Sequence, residues 1–307
     1  MTSFQFVIRY RDSCATNPVL NIMSTAATRS PQELESFVVK ANGEPCKDAL
    51  NAYDRDGVVC LRSAFNNHWI SAGRRAIAAS LRSHSAIATH ERHVKPGESG
   101  AFFFDTFAWK RLPSFRHFTF NSPAASLARH VMRSRSLLLY FDMAIVKEPG
   151  TSARTPWHYD EAYWPVSGRQ ICNVWIALDH VPRDVGLQFV LGSHRLKENY
   201  SAAEFFTGDA KCDRSLGLPP NWDLVKGDHR IASTSMRPGD CIILNLRTHH
   251  CAPGNHQRRT RRRVICTHWF GDDARYKDKP WECGPDERGE NLVDGGTMEC
   301  ATFPRVF

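Results

Sequence analysis

The sequence predicts a mainly β protein with flanking helices, built as a double-sheet jelly roll. Short apolar runs of four to eight residues, bounded by Gly, Pro or charged residues, fill the second half of the chain, a pattern typical of sandwiches and barrels of short strands. Helical patterning is confined to the first half, where helices can cover one face of a sheet. A chain of 307 residues that is 42% hydrophobic can bury this as one large domain, and residues 33–307 are taken as that domain.

Residues 1–32 carry no sustained period and several small polar residues, and read as a disordered lead-in. Ser30-Pro31, followed by Glu33 and Glu35, predicts a helix start, with Ser as cap, Pro at the first position and acids in the first turn. A short helix over 47–53, a turn at Asp56-Gly57 and a buried strand over 58–61 come next. Residues 67–81 form a helix with Trp69, Ile70, Ile77 and Leu81 as its stripe. Residues 96–100 read as a loop leading into an aromatic segment, 102–109, and 124–132 as a further helix. The continuous apolar run 137–146, interrupted only by Asp142, has the length of a strand. Strands follow over 172–178, 188–191, 241–246 and 264–270; Gly192-Ser193-His194 closes one and Pro238-Gly239-Asp240 opens another. The polar, Pro-containing stretch 195–236 breaks this rhythm and reads as an insert over the barrel mouth.

The net charge of +8 and pI near 9.0 invite a nucleic-acid reading, but the positive charge is scattered except at Arg258, Arg259, Arg261, Arg262 and Arg263. No nucleic-acid or membrane partner is expected. The ten cysteines contain no CxxC pair and read as reduced, mostly buried thiols rather than a zinc site. No apolar run approaches the roughly 18 residues of a membrane span, and no secretory signal is evident, so a cytoplasmic protein is expected. Arg9, Arg11 and Arg29 with the single acid Asp12 leave an organelle transit segment as the alternative.

The chemistry centres on TPWHYDEAYWPVSG, residues 155–168. Side chains at i and i+2 of an extended strand project from one face, so His158 and Asp160 can reach one point. One imidazole and one carboxylate supply two of the three ligands of a 2-His-1-carboxylate triad, which holds non-haem Fe(II) and leaves positions open. The third ligand is sought in RTHHCAPGN, residues 247–255, where His250 is the best candidate and His249 competes; adjacent strand residues point to opposite faces, so only one can serve. Tyr159, Tyr163, Trp164 and Phe104 are candidates for lining a substrate pocket, with packing that excludes water as the alternative.

Taken in order, TPWHYDEAYWPVSGRQICNVWIALDHVP, GLQFVLGSHR, RPGDCIILNLRTHHCAPGN and RRRVICTHWFGDDARY resemble the phytanoyl-CoA dioxygenase family of Fe(II)- and 2-oxoglutarate-dependent oxygenases. The resemblance implies a double-stranded β-helix of the cupin-like, jelly-roll kind and a metal site of His158, Asp160 and His250, the last because the family's distal histidine precedes a small-residue turn ending in Asn, here Asn255. It also implies an arginine leading the last core strand that pairs with the distal carboxylate of 2-oxoglutarate through two charge-assisted hydrogen bonds. Counting forward from His250 allows both Arg261 and Arg262, and counting back from the Thr267-His268-Trp269 part of that strand selects Arg262; strand alternation separates it, with Val264, Cys266 and His268 on its face, from Arg261 and Arg263. Trp175 and Asn173 stand where cosubstrate contacts occur in the family, and Ala252 stands where some relatives carry a hydroxyl. The Gly186, Gly192 and Ser193 turn resembles a structural Gly-Ser-His of the family.

The implied reaction consumes O2 and 2-oxoglutarate, releases succinate and CO2, and hydroxylates a small organic molecule. Asp160 keeps the carboxylate ligand and leaves no place for chloride, which argues against halogenation. The rival readings are a cupin-type metalloenzyme without 2-oxoglutarate and a catalytically silent jelly-roll scaffold; the substrate and oligomeric state are left open.

Overall fold

The computed structural model describes residues 30–86, 89–91, 100–203, 209–210, 213, 215–279 and 289–307. The expected lead-in over residues 1–29 and most of the 96–100 loop lie outside the described residues.

Two sheets face each other without closing into a barrel. The larger runs, in spatial order, β2 (Ser36–Val38), β3 (Val58–Arg62), β12 (Cys241–Asn245), β9 (Ile171–Ala177), β14 (Arg262–Phe270), β6 (Leu138–Lys147), β5 (Phe102–Thr106) and β4 (Thr89–Glu91). The smaller runs β1 (Gln32–Glu33), β11 (Ile231–Ser233), β10 (Gln188–Val190), β13 (His250–Ala252) and β7 (Thr155–His158). A ribbon of β8 (Val166–Ser167) and β15 (Arg275–Tyr276) stands apart.

Alternation along the strands of the large sheet separates two cores. Cys172, Val174 and Ile176 of β9, with Ile243, Ile265 and Trp269, face outward under the helices. There α1 (Lys47–Asp56), α2 (Asn67–Arg82), α4 (Pro113–Asn121) and α5 (Ala124–Met132) bury Ala52, Ile77, Phe115, Phe118, Leu127 and Val131. Trp175, Ala177, Ile242, Leu244, Val264 and Cys266 face inward and meet Phe189, Ala232 and Ala252 of the small sheet. The polar residues of the site lie on this inner face.

Local signals place the elements well. Asn66 caps α2, accepting from the Trp69 N–H at 3.3 Å. Gly57 ends α1 at φ 76°, and a Cβ there would meet His194 Nδ1 at 2.4 Å and Thr248 Oγ1 at 2.5 Å. Because Thr248 Oγ1 donates to the Gly57 carbonyl at 2.7 Å, this corner also fixes the approach to β13.

Two expectations change. Ser30-Pro31 opens no helix: Gln32 and Glu33 form β1, parallel to β11, and Leu34, the lone large apolar side chain of the segment, is buried by that pairing. The 195–236 stretch is not wholly an insert, since Ile231–Ser233 is β11 and Met236 bridges Val181; a three-residue strand among polar neighbours carries too little periodicity to be read. Helix α4 was hidden because Phe115 and Phe118 lie three apart in a nine-residue segment that also exposes polar residues. The seven described cysteines are free, and five of them are buried.

Asp142, the acid interrupting the β6 run, points outward, where it accepts from the Trp109 N–H at 3.0 Å and Thr119 Oγ1 at 3.0 Å. It thereby holds α3 (Ala108–Arg111) and α4 to the sheet. Burial, outweighing these donors, pushes its carboxyl up to about 7 from an ordinary 3.8. A raised carboxyl stabilises the fold fully below its unfolded pKa and loses that contribution as pH climbs through the folded value. Denaturant unfolding should therefore show wild type losing on the order of 2 kcal/mol more than Asp142→Asn between about pH 5 and pH 8; parallel pH profiles contradict this.

Candidate metal centre

His158 ends β7, Tyr159 continues it in extended conformation, and Asp160 opens a single 3-10 turn, Asp160–Tyr163. Asp160 is thus one step beyond the strand rather than inside it. The extended Tyr159 (φ −135°, ψ 144°) still preserves the i, i+2 relation that puts His158 and Asp160 on one side. His250 heads β13 and is the direct partner of His158 across the antiparallel ladder, with ring centres 4.1 Å apart. One ligand atom from each of the three residues lies within 4.8 Å of the others, and all three residues are buried.

Ring orientation is fixed from behind. His158 Nδ1 lies 2.8 Å from the Pro156 carbonyl and His250 Nδ1 2.9 Å from the Thr248 carbonyl. A carbonyl only accepts, so each Nδ1 carries the proton and each Nε2 presents a lone pair. Those Nε2 atoms stand 3.6 and 3.8 Å from the same Asp160 oxygen, Oδ1. Burial, then His158, lowers the His250 imidazolium to about 4, so the ring is neutral at neutral pH. Burial would raise the Asp160 carboxyl, but the attraction of His250 and His158 outweighs it and holds the group at about 2. Two lone pairs and one carboxylate, preoriented by backbone carbonyls, form a donor set suited to a divalent metal.

Arg262 lies on the inner face of β14, only 3% exposed, and donates to the Val185 carbonyl. Burial lowers its guanidinium to about 10. Its neighbours go elsewhere: Arg261 pairs with Glu148 at 3.1 Å, and Arg263 grips Asp179 at 2.8 and 2.6 Å. The arginine run thus separates into one inward cation and paired or exposed flanks. Three buried polar atoms without a partner among the described residues, Asp160 Oδ2, Asn173 Oδ1 and Arg262 Nε, belong to this inner region. Buried polar atoms are nearly always satisfied, so this group marks a place for a polar ligand. The Cys266 thiol, raised first by burial and then by Asp160, is lowered by Asn173 and Arg262, so one side chain senses both ends of the region.

Trp175 and Asn173 face inward on β9 beside Cys266 and His268, their register partners. Tyr163 meets His158 edge-on, with ring centres 5.8 Å apart, and its hydroxyl donates to the Ala203 carbonyl at 2.6 Å. Phe104 is half-buried on β5 opposite Ile145. Two pocket candidates are packing instead. Tyr159 turns away from its flanking ligands, stacks on His249 and bonds the Tyr200 backbone, while Trp164 is held among Tyr140, Phe141 and His268. His249 points away from the cluster: it is 2% exposed and accepts from Trp222 Nε1 at 3.0 Å. Lys147 was missed; it follows the apolar run and reads as a strand-end charge, although its parity with Met143 and Ile145 puts it on the inner face.

A jelly roll holding two histidines and a carboxylate at one inner point is the architecture of mononuclear non-haem iron enzymes. A sequence model of the phytanoyl-CoA dioxygenase (PhyH) family matches residues 53–264, and the chain belongs to that family of iron- and 2-oxoglutarate-dependent oxygenases. No curated protein matches at a significant level. Among solved structures, the α-ketoglutarate-dependent carbocyclase SnoK from nogalamycin biosynthesis is similar at TM-score 0.67 and 23% identity, covering 85% of this chain and 96% of its own. The epimerase SnoN, solved with Fe3+, α-ketoglutarate and nogalamycin RO, follows at 0.66 and 20%, covering 85% and 98%. EctD from S. alaskensis gives 0.60 and 16%, covering 82% and 88%. At these identities the likeness is one of fold. Among the described residues no helix is long and apolar enough to cross a membrane.

The opposed directions of His249 and His250 set a test by chelator competition. His250→Ala should weaken Fe(II) or Co(II) binding by more than the roughly 10- to 100-fold typical of outer-shell changes, and His249→Ala by no more than that. Equal losses, or a larger loss in His249→Ala, contradict the geometry.

Proposed function

We propose that residues 33–307 form one Fe(II)- and 2-oxoglutarate-dependent dioxygenase domain that hydroxylates a small organic molecule. The observation that carries this reading is a buried guanidinium, without a counter-charge among the described residues, on the same inner face as the His158, Asp160 and His250 cluster. A metalloenzyme without 2-oxoglutarate has no use for such a cation, and a silent scaffold has no use for either feature.

His158 Nε2, His250 Nε2 and an Asp160 oxygen bind Fe(II), with the Pro156 and Thr248 carbonyls holding both rings in the metal-binding tautomer. Arg262 binds the distal carboxylate of 2-oxoglutarate, which satisfies its orphaned Nε. Asn173 and Trp175 border the cosubstrate between these ends. When bound, Fe(II) with 2-oxoglutarate and O2 supplies the power to oxidise an unactivated C–H bond, releasing succinate and CO2. The protein's own contribution is positioning and the exclusion of water. Tyr163 ties Ala203, Tyr159 ties Tyr200, and Arg247, paired with Glu161, ties the Leu196 carbonyl at 3.0 Å. These contacts fasten the start of the 195–236 stretch to the turn that carries Asp160 and to the approach to His250, with Tyr163 beside His158 as the residue that borders the substrate space.

Asp160 supports hydroxylation over halogenation because it retains the carboxylate ligand. A carbocyclase and an epimerase share the fold, so the outcome is read from the product: oxygen from 18O2 in the product supports hydroxylation, and an oxidised product without it contradicts hydroxylation. Iron-loaded protein should convert 2-oxoglutarate to succinate slowly even without substrate. Arg262→Met should reduce kcat/KM for 2-oxoglutarate by roughly 30-fold or more, the loss of about 2 kcal/mol expected when a buried charge pair is truncated. Succinate formation unchanged in Arg262→Met contradicts the assignment, and none in wild type contradicts the oxygenase reading.

A further inference from the structure

Arg262 has a second cation for a neighbour. Lys147, the last residue of β6, is its register partner across the β14–β6 ladder, so both side chains leave the inner face at the same level. The two residues are 3% and 1% exposed. Like charges directly opposite on neighbouring strands repel, and a buried cation without a counter-charge costs several kcal/mol. Neither is in an ion pair among the described residues, although the adjacent Arg261 and Arg263 both are.

The fold holds Lys147 in place. Its Nζ donates to the Ala153 carbonyl at 2.8 Å and the Pro253 carbonyl at 3.0 Å, and lies 4.8 Å from the centre of the Phe102 ring. Asn255 Nδ2 donates to the Lys147 carbonyl at 3.0 Å and to that of Thr260 at 2.8 Å, joining the end of β6 to the approach to β14. An ammonium has three N–H donors, so two carbonyls leave one to spend. Among the described residues, the titratable and charged groups that act on Lys147 are Arg262 of β14, Cys251 of β13 and Arg154 of the β6–β7 loop, with no acid among them. Burial first, and Arg262 next, push its ammonium well below the ordinary lysine range, as expected of a cation lacking its anion. Ala252, packed in the same inner core, offers no hydroxyl to share the task.

We propose that Lys147 is a second cation of the cosubstrate pocket, gripping the distal carboxylate of 2-oxoglutarate together with Arg262. This rests on the dioxygenase reading above. Two cations on one carboxylate remove the repulsion that the empty pair suffers, so Lys147 contributes selectivity for a 2-oxo acid with an acidic tail. If Lys147 served only to fasten Ala153 and Pro253, it would favour no particular ligand.

The test is calorimetric titration of the Mn(II)-loaded full chain with 2-oxoglutarate and with 2-oxobutyrate, which has the same metal-binding head and no distal carboxylate. Lys147→Met should weaken 2-oxoglutarate by about tenfold or more while leaving 2-oxobutyrate within about threefold. Lys147→Gln, which keeps two donors for the carbonyls and removes the charge, should show the same selective loss and serves if the Met variant does not fold. Equal weakening of both ligands, or unchanged 2-oxoglutarate affinity, overturns the assignment. Wild-type protein that binds Mn(II) but neither 2-oxo acid overturns the dioxygenase reading instead.

Discussion

Burying charge in an apolar interior is the constraint on which the rest of the structure depends. A carboxylate, an arginine and a lysine all sit on the inner face of this jelly roll with almost no access to water. Isolated ions in such a place are costly unless paired or bound to a metal. Asp160 has the His158 and His250 rings beside it, 3.6 and 3.8 Å from its Oδ1, and among the described residues Arg262 and Lys147 are in no ion pair with an acid. On the proposed reading the inner face therefore offers two points with opposite preferences, a divalent cation at one and a carboxylate at the other. A 2-oxo dicarboxylic acid bound to a metal satisfies both at once.

The fold tolerates these buried charges because its well-packed elements lie elsewhere. The outer face of the large sheet, covered by four helices, carries a mainly apolar core, and its buried acid, Asp142, is held by two donors from neighbouring helices, the Trp109 N–H and Thr119 Oγ1. Backbone carbonyls from Pro156 and Thr248 on the inner side fix the two imidazoles, and Asn255 ties the turn after His250 to the ends of β6 and β14. The metal end and the cation end are therefore held in mutual register by bonds to main-chain carbonyls, as a bifunctional ligand requires.

Much of this was legible in the sequence because strand alternation is a strict rule. It placed His158 with Asp160, set His250 apart from His249, and separated Arg262 from Arg261 and Arg263, each on the side where the structure has it. The family's motifs decided what alternation alone left open, above all which histidine and which arginine face inward. The rest failed for physical reasons. Strands as short as β1 and β11 owe their existence to partners far along the chain, so local pattern carries no sign of them. Aromatic residues near a metal are chemically ambiguous: Tyr163 stands beside His158, whereas Tyr159 and Trp164, within five residues on either side, pack into other clusters. A lysine after an apolar run usually marks the return to solvent, and only the register of Lys147 with Arg262 reveals that the strand has not yet left the core.

The account stands most directly on an anaerobic titration of the metal-free protein, first with Fe(II) and then with 2-oxoglutarate, followed in the visible spectrum. It predicts a metal-to-ligand charge-transfer band that forms when both are present and is lost in His158→Ala, because the 2-oxo acid reaches the metal only through that ligand set. Protein that binds Fe(II) tightly yet gives no band with 2-oxoglutarate would contradict the account.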